Sequence, residues 1–155
     1  MEQSLKHRVV LLCGRICSGK GSYMKDAERI VVSDIVRGII KSSSREELQN
    51  TMHLDLSITA GIIEQIGGLF KKEVSEIVVD GIRQVSIVEL VLAHFPDAEL
   101  VWLEVPVEER KRRYENRKDT KDVELFEIAD NKPIELECQN IFSTFRDKLT
   151  IINNY

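Results

Sequence analysis

The chain has 155 residues, with 22 Lys and Arg against 26 Asp and Glu, for a formal net charge of −4. Hydrophobic residues make up 43% and charged residues 31%, a globular balance that excludes a disordered chain and gives no overall attraction to nucleic acid or anionic membrane. No apolar run reaches the roughly 18 residues that a membrane-spanning helix needs, and residues 1–8 are too polar for a secretory signal, so a cytoplasmic chain is expected. Cys13, Cys17 and Cys138 follow no disulfide or metal-ligand spacing and read as reduced thiols.

Taken in order, Arg8–Gly14 is a continuous apolar run ending at glycine, the pattern of a strand buried on both faces of a parallel sheet. A short helix is expected over residues 20–27, a second strand over 29–33, and helical patterning again from Ile35. Between residues 44 and 70, Leu48, Met52, Leu56, Ile58, Ile62 and Ile66 recur at helical spacing, and Gly67-Gly68 marks the end of that stretch. Residues 76–81 form a third strand, 86–95 a helix and 99–106 a fourth strand. A charged helix follows over 107–118, and then an acidic, loop-like segment over 119–131. A helix over 133–148 and a strand over 149–153 complete the chain. This alternation predicts a three-layer α/β/α sandwich around a five-stranded, mainly parallel sheet, built as a single domain over 1–155.

Directly after the first strand stand Gly14, Arg15, Ile16, Cys17, Ser18, Gly19, Lys20, Gly21 and Ser22. They contain the G-x-x-x-x-G-K core of a phosphate-binding P-loop, in the required position between strand and helix. Glycines let backbone N–H groups turn toward phosphates, and a following helix N-terminus adds its positive end. Lys20 would then reach the β- and γ-phosphates of ATP, with Ser22 on Mg2+. The strict motif has Ser or Thr directly after the lysine, whereas here Gly21 intervenes.

Three other groups join this loop. Asp34 lies just past the second strand, on the ligand edge of an α/β sheet. It reads as a general base for a hydroxyl acceptor, as a residue ordering water around Mg2+, or as a helix cap. Asp80 ends the third strand, from which an aspartate holds Mg2+ or its water, or caps the next helix. Arg37 and Arg83 have the fork geometry for an acceptor phosphate. In the basic run, Arg110, Arg113 and Arg117 share one helix face. Arg113 and Arg117 read as stabilising charge on the transferred phosphoryl group, while Arg110, Lys111 and Arg112 read as solvated.

The loop resembles the G-x-x-G-S-G-K-G-T loop of adenylate kinase and other nucleoside monophosphate kinases, departing at Cys17, where those enzymes have glycine. Ser33-Asp34-Ile35-Val36-Arg37 resembles their T-G-D-x-x-R, and Asp80-Gly81-Ile82-Arg83 their D-G-F-P-R with one residue missing. Val105-Pro106 with Arg113 and Arg117 resembles the start of their lid, here a short segment around 114–132. A second resemblance is to polynucleotide 5′-kinases and phage DNA kinases that act on hydroxymethylated bases. It rests on Asp34-x-x-Arg37, on Val105-Pro106-Val107-Glu108-Glu109, and on Arg117 followed by Thr120 and Lys121. In that group the aspartate is the general base. The resemblances imply a P-loop kinase fold and transfer from ATP with Mg2+ to a nucleoside monophosphate or, alternatively, to a nucleic-acid hydroxyl. No membrane and no obligate protein partner is implied. A non-catalytic nucleotide-binding module is the reading outside the enzymes.

Overall fold

The computed structural model describes residues 7–117 and 125–155. Arg8–Gly14 forms β1, with every residue after Arg8 buried. It is the centre of a parallel sheet with β2 (Glu28–Val31), β3 (Glu76–Asp80), β4 (Glu99–Glu104) and β5 (Leu149–Asn153), in the order β2-β3-β1-β4-β5. Helices α1 (Val32–Ser42), α2 (Arg45–Gln49), α3 (Thr51–Phe70), α4 (Val85–His94), α5 (Val107–Asn116), α6 (Phe126–Asp130) and α7 (Pro133–Thr144) fill the connections.

Successive strand side chains point to opposite faces, so β1 feeds two cores. Val9, Leu11 and Cys13 pack with Ile62, Ile66, Ile87, Val91 and Ile141 from α3, α4 and α7. Val10 and Leu12 face the other way, toward Tyr23, Met24 and Ala27. The sheet thus carries helical segments on both sides, although the second side is covered by the stretch that opens with the 3-10 turn Lys20–Ser22. The predicted α/β sandwich with five parallel strands is what is found.

Several expected elements differ. Residues 20–27 form that single turn and then irregular chain, not a helix. Two glycines flank Lys20, Tyr23 is extended and Met24 takes φ +50°. Arg29 of β2 donates to the carbonyls of Lys20 and Tyr23, which a longer helix would bond internally. The stretch 44–70 is two helices. A Ser44–Glu47 capping box starts α2, and Asn50 Oδ1 accepts from the His53 amide (3.1 Å) to start α3. Gly67 and Gly68 do not end α3, which runs on to Phe70 because Ile62, Ile66 and Phe70 pack on the core. Val32 and Ser33 belong to α1, not to β2. The acidic segment includes α6, whose Phe126 and Ala129 bury beside Tyr114; of the lid-like segment, residues 118–124, with Thr120 and Lys121, lie outside the described residues.

Candidate phosphate-binding and acceptor site

The register sets the strand ends level. Leu12 of β1 pairs with Asp80 of β3 and with Val101 of β4, and Gly14 pairs with Leu103. The chain leaves β3 and β4 on opposite sides of β1, and a crevice opens at such a switch point. The loop from Gly14 to Ser22 fills its floor.

Loop shape follows from a few residues. A side chain at Gly14 would sit 2.4 Å from Ser18 Oγ and 3.1 Å from the Leu103 carbonyl, so only glycine lets the loop fold down on the strand. Gly19 takes φ +88° and Cys17 φ +61°. Cys17 thus holds the left-handed conformation natural to glycine. Lys20 Nζ reaches back to the carbonyls of Gly14 (2.8 Å) and Arg15 (3.1 Å) and to Ser18 Oγ (3.5 Å). Burial pushes its pKa down, and the Arg83 charge adds to that. With one turn in place of a helix, no helix dipole supplements this ammonium.

The loop is braced from three directions. Asn154 Nδ2 donates to the Ser18 carbonyl (2.8 Å), and Arg113 donates to the carbonyls of Cys17 (3.2 Å) and Asn154 (2.6 Å). Glu109, its carboxyl held down to about 2 by Arg112 and Arg113, aligns Arg113 from one turn earlier (3.1 Å). Glu135, almost fully buried, accepts from the Ile16 amide through Oε1 (2.6 Å), and its Oε2 forms an ion pair with Arg83 Nη1 (3.1 Å). Arg29 Nε pairs with Asp80 Oδ2 (3.2 Å), tying the strand end to the turn after Lys20.

Beneath the loop lies a second, buried set of charges. Asp130 accepts from both Arg15 (2.9 Å) and Arg110, and Arg110 stacks its guanidinium on Phe126 (5.6 Å). Arg110 is therefore not solvated as its charged neighbourhood suggested: it is 7% exposed. Arg112 stays exposed, and Lys111 pairs with Glu127 at the surface (2.7 Å). Cys13 and Cys138 are buried thiols whose pKa values burial raises.

A cavity of about 960 Å3 opens from the loop. Residues 16–21, Asp80 and Gly81 line its floor, and Arg37, Arg83 and Arg117 bring three guanidinium groups to its walls. Val36, Ile40, Leu54 and Ile58 of α1 and α3 supply an apolar side, with Asp55 and Glu137 at its edge. Arg117 lies over the Tyr114 ring (4.9 Å). Of the loop, acceptor and charge-stabilising residues singled out in the sequence, Gly14, Arg15, Ser22, Asp34 and Arg113 do not line this cavity. Asp34 sits in the first turn of α1, 65% exposed, and pairs with Arg37 (2.7 Å). Asp80 at the floor fits a role near Mg2+, while Ser22 is exposed on the turn beyond it. Among the described residues no three His, Cys, Asp or Glu side chains gather as a metal cluster, so a cation here would draw most ligands from phosphate and water. No helix of the described residues is long and apolar enough to cross a membrane.

The sequence reading missed Arg29, Asp130, Glu135 and Asn154. Arg29 alone carried a signal, as a charged residue inside a strand; the others are remote acidic or amide residues whose partners only the fold reveals.

No family model matches the chain. It is similar to the curated UPF0200 protein of Methanoregula boonei (strain DSM 21154 / JCM 14090 / 6A8), with 26% identity over 127 residues, spanning 74% of this chain and 70% of that protein. Among solved structures it is similar to a sugar kinase from Janibacter sp. HTCC2649 in an unliganded structure. That alignment has a TM-score of 0.57 at 14% identity and covers 92% of this chain and 95% of the other. At that identity the likeness is one of fold: this α/β chain shares the architecture of a kinase.

Proposed function

We propose that the chain is an ATP-dependent kinase that transfers the γ-phosphoryl group to a nucleoside monophosphate or deoxynucleoside monophosphate. The observation that supports this reading is the cavity itself, which joins Lys20 and the loop to Arg37, Arg83 and Arg117 while leaving Asp34 off its walls. An acceptor that brings its own phosphate needs cations to position it and no base to deprotonate it. An apolar flank formed by Val36, Ile40, Leu54 and Ile58 suits the flat face of a base.

In this reading Lys20 and the loop amides hold the β- and γ-phosphates, and Arg37 with Arg83 holds the acceptor phosphate. An acceptor oxygen attacks the γ-phosphorus in line, the bond to the β,γ-bridging oxygen breaks, and ADP leaves. Arg117 offsets the negative charge that builds on the equatorial oxygens. Arg113, which the sequence reading gave the same task, instead braces Cys17 and Asn154. Asp80, with water, would hold Mg2+, and that ion would supply charge neutralisation to the phosphates.

The test is transfer from γ-labelled ATP with Mg2+ to all ribo- and deoxynucleoside monophosphates, 5′-hydroxyl oligonucleotides, hydroxymethylated DNA and simple sugars. Label on a monophosphate is the expected outcome. Label only on a nucleic acid or sugar hydroxyl overturns the acceptor assignment and makes Asp34 the candidate base.

A further inference from the structure

Three guanidinium groups line the cavity, and they are not held alike. Arg37 pairs with Asp34 where both side chains are about two-thirds exposed, 67% and 65%, so solvent screens that pair. Arg83, its side chain 39% exposed, pairs instead with Glu135, whose side chain is 3% exposed, so solvent reaches that pair from one side only. The same carboxylate spends its other oxygen on the Ile16 amide of the phosphate-binding loop (2.6 Å). Arg15, the residue before Ile16, brings its Nε to 3.8 Å of that oxygen, too far for a hydrogen bond, and this Nε is buried without one. Ile16, Arg83 and Glu135 come from three separate parts of the chain, after β1, after β3 and at the start of α7.

Charge-assisted bonds in a buried setting are short, directional and costly to leave half made. A buried carboxylate that accepts from a loop amide with one oxygen and pairs with a guanidinium through the other links the two. Its place in the first turn of α7, after Pro133, adds the favourable end of a helix to its negative charge and anchors it on a rigid element. Ile16 cannot move without breaking a bond to a buried carboxylate, and Arg83 cannot leave without stranding that carboxylate's charge.

We propose that Glu135 is a positioning residue that couples the donor loop to Arg83, setting where the acceptor anion sits relative to the γ-phosphate. This inference rests on the kinase reading above for its catalytic consequence, but not for the coupling itself. Glu135 touches neither substrate. It acts through Arg83 on the acceptor side and through Ile16 on the donor side.

Glu135→Gln is the informative variant. Its amide oxygen can still accept from Ile16, whereas its NH2 group meets Arg83 donor to donor. Losing the ion pair should raise the KM for the acceptor about three- to tenfold. The dissociation constant for ATP should change by less than about threefold, since the Ile16 bond is kept. In a double-mutant cycle with Arg83→Gln the two losses should not add, because both remove one interaction. Parallel loss of ATP and acceptor binding, or additive effects in the cycle, would show Glu135 to be a general support of the fold and overturn the proposal.

A second readout is independent of any activity. In the unliganded protein the Ile16 amide proton, bonded to a carboxylate, should resonate downfield, and should move upfield in Glu135→Gln. If Glu135 transmits, Arg83→Gln must also shift it. An Ile16 resonance indifferent to Arg83→Gln sinks the coupling even if a monophosphate proves to be the acceptor. A shift with no phosphorylated acceptor upholds the coupling and removes only the kinase reading.

Discussion

Asn154, one residue beyond the last strand, donates its side-chain amide to the carbonyl of Ser18 in the loop after β1 at 2.8 Å, across 136 positions of sequence. The same amide nitrogen is 2.5 Å from where a side chain at Gly19 would begin, so any side chain there would push Asn154 off Ser18, and φ +88° independently favours glycine. The end of β5 is therefore a wall of the loop. Replacing Asn154 with Ala removes the bond and leaves the backbone carbonyl that Arg113 uses. ATP affinity should fall about three- to tenfold, with unfolding free energy changed by no more than ~1 kcal/mol. Calorimetric titration with Mg-ATP, beside urea unfolding, reads both.

Lys20 titrates below the ordinary lysine value of 10.5 because its ammonium is buried. Between its folded pKa and 10.5 the unfolded chain holds a proton that the folded chain does not, so stability of the unliganded protein rises with pH across that window. Phosphates bind the protonated form. ATP binding should therefore take up a proton in the same window, and affinity should fall as pH climbs into it. Titration in two buffers of different ionisation enthalpy measures the uptake. Lys20→Arg, which keeps its charge, should bind ATP with no such uptake.

Asp130 is the shared acceptor of two buried arginines, Arg15 and Arg110. Asp130→Asn keeps the shape and removes the charge, leaving both guanidinium groups unbalanced. A loss of about 3 kcal/mol or more in unfolding free energy is expected. Adding Arg110→Met, which replaces one stranded charge by an apolar chain beside Phe126, should recover part of it. Urea denaturation of the single and double variants checks this, and an unchanged midpoint in Asp130→Asn would contradict the buried network.

Asp34→Asn tests the acceptor reading. The side chain is exposed and its bond is to Arg37 alone among the contacts that bear on the cavity. With a phosphate acceptor the variant should keep kcat within about threefold and alter mainly the acceptor KM, through Arg37. A loss of about a hundredfold or more in kcat would mean that Asp34 takes a proton from a hydroxyl.

Much of the architecture was legible because it follows from short-range pattern. The run from Val9 to Gly14 could only be a doubly covered strand, and Gly14, Gly19 and Lys20 announced their loop through spacing alone. The turn after Lys20 was misread as a helix because its undoing comes from Arg29, a residue in another element. Arg110 looked solvated for the same reason: a linear reading sees neighbouring charges at 111, 112 and 113 but not Asp130 across the fold. Glu135 and Asn154 lie more than a hundred residues from the loop they brace, and nothing local marks either. Residues whose function is set by the backbone beside them were visible, whereas those whose function is set by a distant partner were not.

The central claim is that the loop around Lys20 carries ATP for transfer to a monophosphate in the adjoining cavity. The most direct measurement compares wild type with Lys20→Met in label transfer from γ-labelled ATP to the monophosphate panel, with circular dichroism to confirm that both are folded. The account expects labelled nucleoside diphosphate from wild type and a loss of about a hundredfold or more in the variant. Near-normal transfer by folded Lys20→Met, or a folded wild type that labels no monophosphate, would contradict it.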